Sequence, residues 1–206
     1  MKKPHTRIVR AVGEFLLLTL FALIPPLFVF IDSVVIGHGV TEDSLTEYAQ
    51  ETLLLVSALL FWHGARRHPD SRGFLLLVAG FFGCALIREL DSYLDFISHG
   101  FWVWPANLLA LATISYVALR CKDTVLEPMA AFIDTKPYFY MVFGLLVVFV
   151  FSRLFGSGTL LWDHLLGDNY THSFKSGVQE GLELFGYIFI GYSAYLYIWR
   201  AKGLNK

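Results

Sequence analysis

The sequence QEGLELFGY, residues 179–187, opens the last long hydrophobic segment of the chain, which extends over 177–199. At about 1.5 Å of rise per residue, a helix of that length crosses the hydrocarbon core of a bilayer. Glu180 and Glu183 are three residues apart and Tyr187 follows after four, so the three share one helical face. His172 and Ser176 continue that face if the helix starts early. A charge within a span costs roughly 2.5–3.5 kcal/mol at mid-membrane, so such residues usually have a partner or a function.

The composition of the whole chain is that of a polytopic membrane protein. Its 206 residues are 56% hydrophobic and only 16% charged, and the mean hydropathy is +0.57. Apolar runs of membrane-spanning length recur along the chain. We therefore predict an all-α fold with a single domain, 1–206, of six transmembrane helices. The expected spans are about 12–31, 48–65, 73–91, 101–119, 138–155 and 177–199.

Lysine and arginine are distributed unequally between the two sides of the predicted domain. Segments 1–11, 64–73, 119–137 and 200–206 carry thirteen of the sixteen. Because basic loops are retained in the cytoplasm, this bias predicts that both termini are cytoplasmic. An even number of spans agrees with that prediction, since it puts both termini on the same side. The expected location is a bacterial inner (plasma) membrane.

Acidic residues and histidines show the opposite bias. Twelve of the seventeen acidic residues lie in the predicted non-cytoplasmic half, and four of the seven histidines join them. These residues are Asp32, Glu42, Asp43, Glu47, Glu51, Glu89, Asp91, Asp95, Asp163, Asp168, Glu180 and Glu183, with His38, His99, His164 and His172. Acidic residues contribute little to topology, so membrane insertion does not explain the excess. A site at the outer leaflet, facing the periplasm or exterior, would explain it.

Carboxylates and imidazoles together form a donor set for a divalent cation such as Zn²⁺, Mn²⁺ or Fe²⁺. The expected metal ligands are Glu51, Glu180, Glu183, His99, His164 and His172. The end of the third span presents Arg88, Asp91 and Asp95 on one stripe. Glu89 or Asp91 would act as the general base towards water activated by the metal, and Arg88 would bind a phosphate or carboxylate head group. No HExxH, HxxxH or ExxH spacing occurs, so no metal motif is matched by pattern.

Two functional hypotheses follow from this constellation. The first is a metal-dependent intramembrane hydrolase that acts on a lipid or lipid-linked substrate. The second is cation or proton transport, or an accessory membrane subunit whose charged helix ends dock a partner membrane protein. Few polar residues lie below the outer third of the spans, which disfavours a pathway through a monomer, although a homo-oligomer could form one.

Structural explanations stay open for the individual residues. Arg88 could form an ion pair with Asp91 or with a glutamate of the last span and so lock helices together. Each of His99, His164 and His172, taken singly, could be an exposed loop histidine. The basic residues form short clusters that direct topology, so nucleic-acid binding is not expected.

Overall fold

The computed structural model describes residues 4–37, 39–41 and 43–204, and this part of the chain contains helices and no strand. The predicted all-α fold is confirmed for these residues, whereas His38 and Glu42 lie outside them. The helices are α1 Pro4–Phe30, α2 Leu45–Arg67, α3 Arg72–Glu89, α4 Asp91–Asp95, α5 Val103–Arg120, α6 Leu126–Ile133, α7 Lys136–Leu146, α8 Ser152–Phe155, α9 Asp163–Leu166 and α10 His172–Leu204. π-Helical turns follow α1 at Ile31–Ile36, join α7 to α8 at Val147–Phe151 and precede α9 at Gly158–Trp162.

Five helical segments of the described chain are long and apolar enough to cross a membrane. They are Pro4–Ile36, Pro69–Glu89, Val103–Arg120, Lys136–Phe155 and His172–Trp199. These segments correspond to the first and the third to sixth predicted spans. The predicted second span, 48–65, forms helix α2 but is not among the five. Polar residues within the span, Gln50, Glu51 and His63, lower its hydropathy.

The chain divides into two compact units. The first comprises Met1–Glu47 with Val147–Phe185, and the second comprises Tyr48–Leu146 with Gly186–Lys206. Helix α10 therefore contributes its N-terminal part to the first unit and its C-terminal part to the second.

In the first unit, a buried carboxylate connects the end of α1 to the start of α2. Asp32 is 1% exposed. It accepts hydrogen bonds from the backbone N–H groups of Leu45 and Thr46, both at 2.9 Å, and from the Thr46 hydroxyl at 2.5 Å. The first N–H groups of a helix lack intrahelical acceptors, and the helix dipole favours a negative charge beside them. Asp32 thus caps α2 from the preceding helical segment.

The connection from α8 to α10 folds around Trp162, which is buried. The indole N–H donates to the Phe155 carbonyl at 2.6 Å. The indole ring contacts Phe155, Tyr170 and Phe174, with centroid distances of 6.1, 6.4 and 5.3 Å. This aromatic cluster holds the connection against the first turn of α10.

The second unit is held together by close helix packing and an aromatic core. A Cβ atom added to Gly80 of α3 would lie 2.8 Å from a side-chain carbon of Thr113 of α5, and one added to Gly144 of α7 would lie 2.6 Å from the Gly186 carbonyl oxygen. Only glycine permits approaches this close between membrane helices. The aromatic core contains Phe61, Phe74, Phe82, Phe132 and Tyr197.

Candidate functional site

The first unit contains an acidic crevice of about 500 Å³ beside the start of α10. Its described lining comes from the loop before α2, from the first turn of α2 and from α10: Gly39, Val40, Thr41, Asp43, Glu47, His172, Ser173, Ser176 and Glu180. This lining holds three carboxylates and one imidazole, and it includes no lysine or arginine. Two of the predicted metal ligands, Glu180 and His172, therefore line the same crevice.

The crevice face of α10 exists because this helix begins at His172. His172, Ser176 and Glu180 are four residues apart, so successive turns present them on one side. The Ser176 hydroxyl lies 3.3 Å from Nδ1 of His172. The expectation that an early helix start would extend the glutamate face to His172 and Ser176 is confirmed.

The opposite wall of the crevice is the N-terminus of α2. The Ser44 hydroxyl accepts a hydrogen bond from the Glu47 N–H at 3.2 Å, next to the amides that Asp32 caps. Both Asp43 and Glu47 lie at this end of the helix, where the dipole stabilises negative charge. Local capping therefore places these two carboxylates in the crevice.

An apolar groove of about 690 Å³ lies between α1 and α10 in the same unit. Its lining includes Pro25, Val29, Phe174 and Leu182. The two helices approach closely at Gly181, where an added Cβ atom would lie 3.3 Å from Val29. Ser173 lines both the groove and the acidic crevice, so the two cavities share this residue in their walls.

Glu183, which the sequence pairs with Glu180, has a different environment. It is 2% exposed. Its Oε1 accepts a hydrogen bond from the Gln179 side chain at 3.2 Å and lies 3.7 Å from Nη2 of Arg153 in α8. Sequence reasoning did not single out Arg153, although it is one of only three basic residues in the predicted non-cytoplasmic half. Since a buried carboxylate needs such a partner, this pair serves to join α8 to α10.

In the second unit, Glu89 is the centre of a polar contact between α3 and α10. Its Oε1 lies 3.2 Å from Nη1 of Arg88 and accepts a hydrogen bond from the buried Tyr187 hydroxyl at 2.8 Å. The ion pair of Arg88 is thus formed with its neighbour Glu89. Asp91 is exposed and begins α4, because α3 ends at Glu89 and Leu90 leaves the helical conformation. The predicted stripe of Arg88, Asp91 and Asp95 on one continuous helix is therefore wrong.

His99 belongs to a turn of the second unit and has a fully exposed side chain. Its Nδ1 lies 2.7 Å from Oδ2 of Asp95, whose Oδ1 accepts the Gly100 N–H at 2.7 Å. The Gly100 N–H lowers the pKa of the Asp95 carboxyl, and the His99 imidazole adds to that effect. Asp95 and His99 therefore close the turn after α4.

The predicted metal ligands divide between the two units. Glu180, Glu183, His164 and His172 belong to the first, while Glu51 and His99 belong to the second. His164 is exposed on α9, and Glu51 is half-buried in α2. Within the described residues, no three His, Cys, Asp or Glu side chains are grouped so that they could hold a metal ion. No step of metal chemistry follows from this arrangement, and the metal centre stays a prediction.

The candidate site is therefore the pair of adjoining cavities in the first unit. Its polar part carries the carboxylates of Asp43, Glu47 and Glu180, and its apolar part lies between α1 and α10. Comparison of the chain with protein-family models, curated proteins and solved structures gives no match.

Proposed function

We propose that this membrane protein binds an amphiphile, a lipid or lipid-linked molecule with a cationic head group. The apolar chain would occupy the groove between α1 and α10, and the head group would occupy the acidic crevice. The observation that carries this proposal is that Ser173 lines both cavities. A molecule that fills both must be apolar at one end and polar at the other.

The apolar groove supports binding through its shape. A lipid chain in a bilayer is already out of water, so the hydrophobic effect adds little when it moves into the groove. Close packing against Pro25, Val29 and Phe174 would contribute instead. Discrimination among amphiphiles then depends mainly on the head group.

The acidic crevice favours a positive head group such as a primary amine. An ammonium group donates three hydrogen bonds, and those it makes to carboxylates are stronger than bonds between neutral groups. Asp43, Glu47 and Glu180 also interact with other groups of the protein. The ligand would therefore join an existing polar network, in which its charge offsets that of the three acids.

We also infer that α2 crosses the membrane, giving six spans with both termini in the cytoplasm. Gln50 and Ser57, two polar residues of α2, are buried within the protein, so they would not meet lipid. An average hydropathy does not take account of which side chains face the protein interior, so it underestimates how well α2 is suited to cross the membrane. With the basic residues retained in the cytoplasm of a bacterium, the acidic crevice would face the periplasm.

Binding is tested with the full-length protein in detergent and a fluorescent long-chain primary amine, compared with the alcohol of the same chain. We expect the Asp43→Asn/Glu180→Gln variant to bind the amine about tenfold more weakly or worse and to bind the alcohol as the wild type does. Asp91→Asn, which changes an exposed carboxylate outside the crevice, is the matched control. Unchanged amine binding by the double variant would exclude the crevice as the head-group site.

The groove is tested separately with Ala22→Trp, which adds bulk to its lining without changing charge. This variant should weaken binding of both the amine and the alcohol. If it affects neither, the chain does not lie between α1 and α10, and the proposal fails in its apolar half.

Metal-dependent hydrolysis is a second candidate, favoured by the presence of Glu180 and His172 in one crevice. Metal analysis of the purified protein distinguishes a metal-dependent hydrolase from a protein that only binds an amphiphile. A stoichiometric divalent metal that is lost in Glu180→Ala and in His172→Ala would support the hydrolase. Equal metal content in wild type and both variants would count against it.

A further inference from the structure

A second groove, of about 780 Å³, lies within the second unit between α2, α3 and α5. Most of its lining is apolar and includes Leu59, Leu76 and Leu109. Arg66 and Arg72 also line it, together with Trp62 and Tyr116, and its described lining contains no acidic residue. The groove is thus apolar along its walls and positively charged where the arginines lie.

The arginines lie where α2 and α3 are joined. Helix α2 ends at Arg67 and α3 begins at Arg72, with a single 3₁₀ turn, Pro69–Ser71, between them. The guanidinium carbon of Arg66 lies 4.8 Å from the centre of the Trp62 ring, and Nε of Arg72 donates to the Ala65 carbonyl at 3.3 Å. The second contact engages only one of the several N–H donors of that guanidinium group.

The position of the aromatic residues indicates the depth of this charged end. Trp62 and Tyr116 are both about half exposed. Tryptophan and tyrosine with this mixture of exposed and packed surface are typical of the boundary between head groups and hydrocarbon. In a membrane, the charged end of the groove would therefore lie at head-group level, and the apolar walls would extend from there along candidate membrane helices α3 and α5.

We propose that this groove binds an anionic phospholipid. Its phosphate would lie between Arg66 and Arg72, and an acyl chain would lie along Leu59, Leu76 and Leu109. Guanidinium groups match phosphate in geometry and charge, and basic pockets between membrane helices are suited to anionic head groups. A soluble anion would leave the apolar walls unused, and a protein partner would not need two arginines at one end of an apolar groove. Charge complementarity together with the apolar walls therefore selects a lipid.

This inference is independent of the proposed function. The acidic crevice belongs to the first unit and contains no lysine or arginine in its described lining. The arginine groove belongs to the second unit, and its described lining contains no acidic residue. A head group with a single charge cannot suit both, because each site would repel the charge that the other attracts. The two binding sites can therefore be tested without reference to each other.

The test uses the full-length protein in detergent and native mass spectrometry with phosphatidylglycerol and phosphatidylcholine of identical acyl chains. Wild type should retain phosphatidylglycerol about fivefold or more in preference to phosphatidylcholine, and Arg66→Gln and Arg66→Gln/Arg72→Gln should lose that preference. Arg67→Gln is the matched control, since it removes the same charge one residue away and does not line the groove. An equal loss of preference in Arg67→Gln would overturn the proposal, because it would indicate general surface charge.

The apolar part of the site has its own variant. Ala112→Trp adds bulk to the lining without altering charge, so it should reduce retention of both lipids. It also tests the proposal if loss of the Arg72 bond to Ala65 unfolds the double variant. Glycerol 3-phosphate, which has the phosphate without the chains, should not displace the lipid. Full retention in Ala112→Trp, or displacement by glycerol 3-phosphate, would contradict binding of a lipid in this groove.

Discussion

The carboxylate of Asp32 accepts both the backbone N–H and the hydroxyl of Thr46, a residue fourteen positions along the chain, at 2.9 and 2.5 Å. In the sequence, Asp32 is one of the acidic residues that suggest a site at the outer leaflet. In the structure it is a helix cap, since its oxygen atoms bind the first amides of α2. Part of the acidic excess is therefore explained by folding.

Replacing Asp32 by alanine should destabilise the protein. The change leaves the part-buried N–H of Leu45 and the buried N–H of Thr46 without their acceptor. Such a loss typically costs about 2–3 kcal/mol when the lost partner is charged. The measurement is unfolding of the detergent-solubilised protein by a denaturant. Asp91→Ala, at an exposed position, should change stability by less than about 0.5 kcal/mol. A similar small effect at Asp32 would show that the cap is not needed.

Glu180 and Glu183 should differ in what they control, although they occupy neighbouring turns of one helical face. Glu180→Gln should weaken amine binding, because Glu180 lines the crevice. Glu183→Gln should lower stability and leave amine binding unchanged, since Glu183 is buried beside Gln179 and Arg153. The side chain of Arg153 is 44% exposed, so solvent screens the pair and we expect a coupling energy of about 1 kcal/mol in a double-mutant cycle with Arg153→Gln. Reversal of the two phenotypes would show that the crevice has been assigned to the wrong glutamate.

Tyr187→Phe should cost about 1–2 kcal/mol of stability, because it removes the hydroxyl that donates to Glu89 at 2.8 Å. The ring remains, so packing of α10 is retained and the loss reports the hydrogen bond. Tyr195→Phe, on the same helix at an exposed position, is the control. If both variants unfold at the same denaturant concentration, the contact between Glu89 and Tyr187 contributes nothing measurable.

The turn closed by Asp95 should give the protein an acid-sensitive contribution to stability. The Gly100 N–H, and then the His99 imidazole, hold the pKa of Asp95 below its ordinary value. A carboxyl with a lower pKa in the folded state stabilises that state above its unfolded pKa of about 4, and the contribution disappears as the pH falls through the folded pKa. The difference in stability between wild type and Asp95→Asn should therefore be constant near neutrality and vanish in acid. A difference that grows as the pH falls would have the wrong sign.

Topology reporters fused to the two ends should both report the cytoplasm. This result requires α2 to cross the membrane, since the five segments that hydropathy alone identifies would put the ends on opposite sides. A third fusion within the connection between α8 and α10 should report the exterior. If the two ends lay on opposite sides of the membrane, α2 would not be a transmembrane helix. The segments on one side of α2 in the sequence would then face the side of the membrane opposite to the one predicted.

The helices themselves are largely readable from the sequence. The expected spans 101–119 and 138–155 correspond to α5 and to the segment Lys136–Phe155, and the expected last span, 177–199, lies within α10. Hydropathy identifies them because a run of apolar residues long enough to cross a bilayer can be recognised without any knowledge of its tertiary contacts. The break at Leu90 was missed, because no glycine or proline marks it.

The role of each acidic side chain could not be predicted from the sequence in the same way. Spacing relates residues on one helix, and it correctly joined His172, Ser176 and Glu180 into a single face. It contains no information about Arg153 beside Glu183 or about Thr46 beside Asp32, because these partners come from other segments of the chain.

The sequence by itself determined that this is a helical protein with several apolar spans and an uneven distribution of charge, because hydropathy and charge are local properties of the chain. Only the tertiary structure decided which carboxylates line a crevice and which are buried in caps and ion pairs. The physical reason is that the environment of a carboxylate is set by the donors, cations and apolar walls around it, and folding brings these from distant segments.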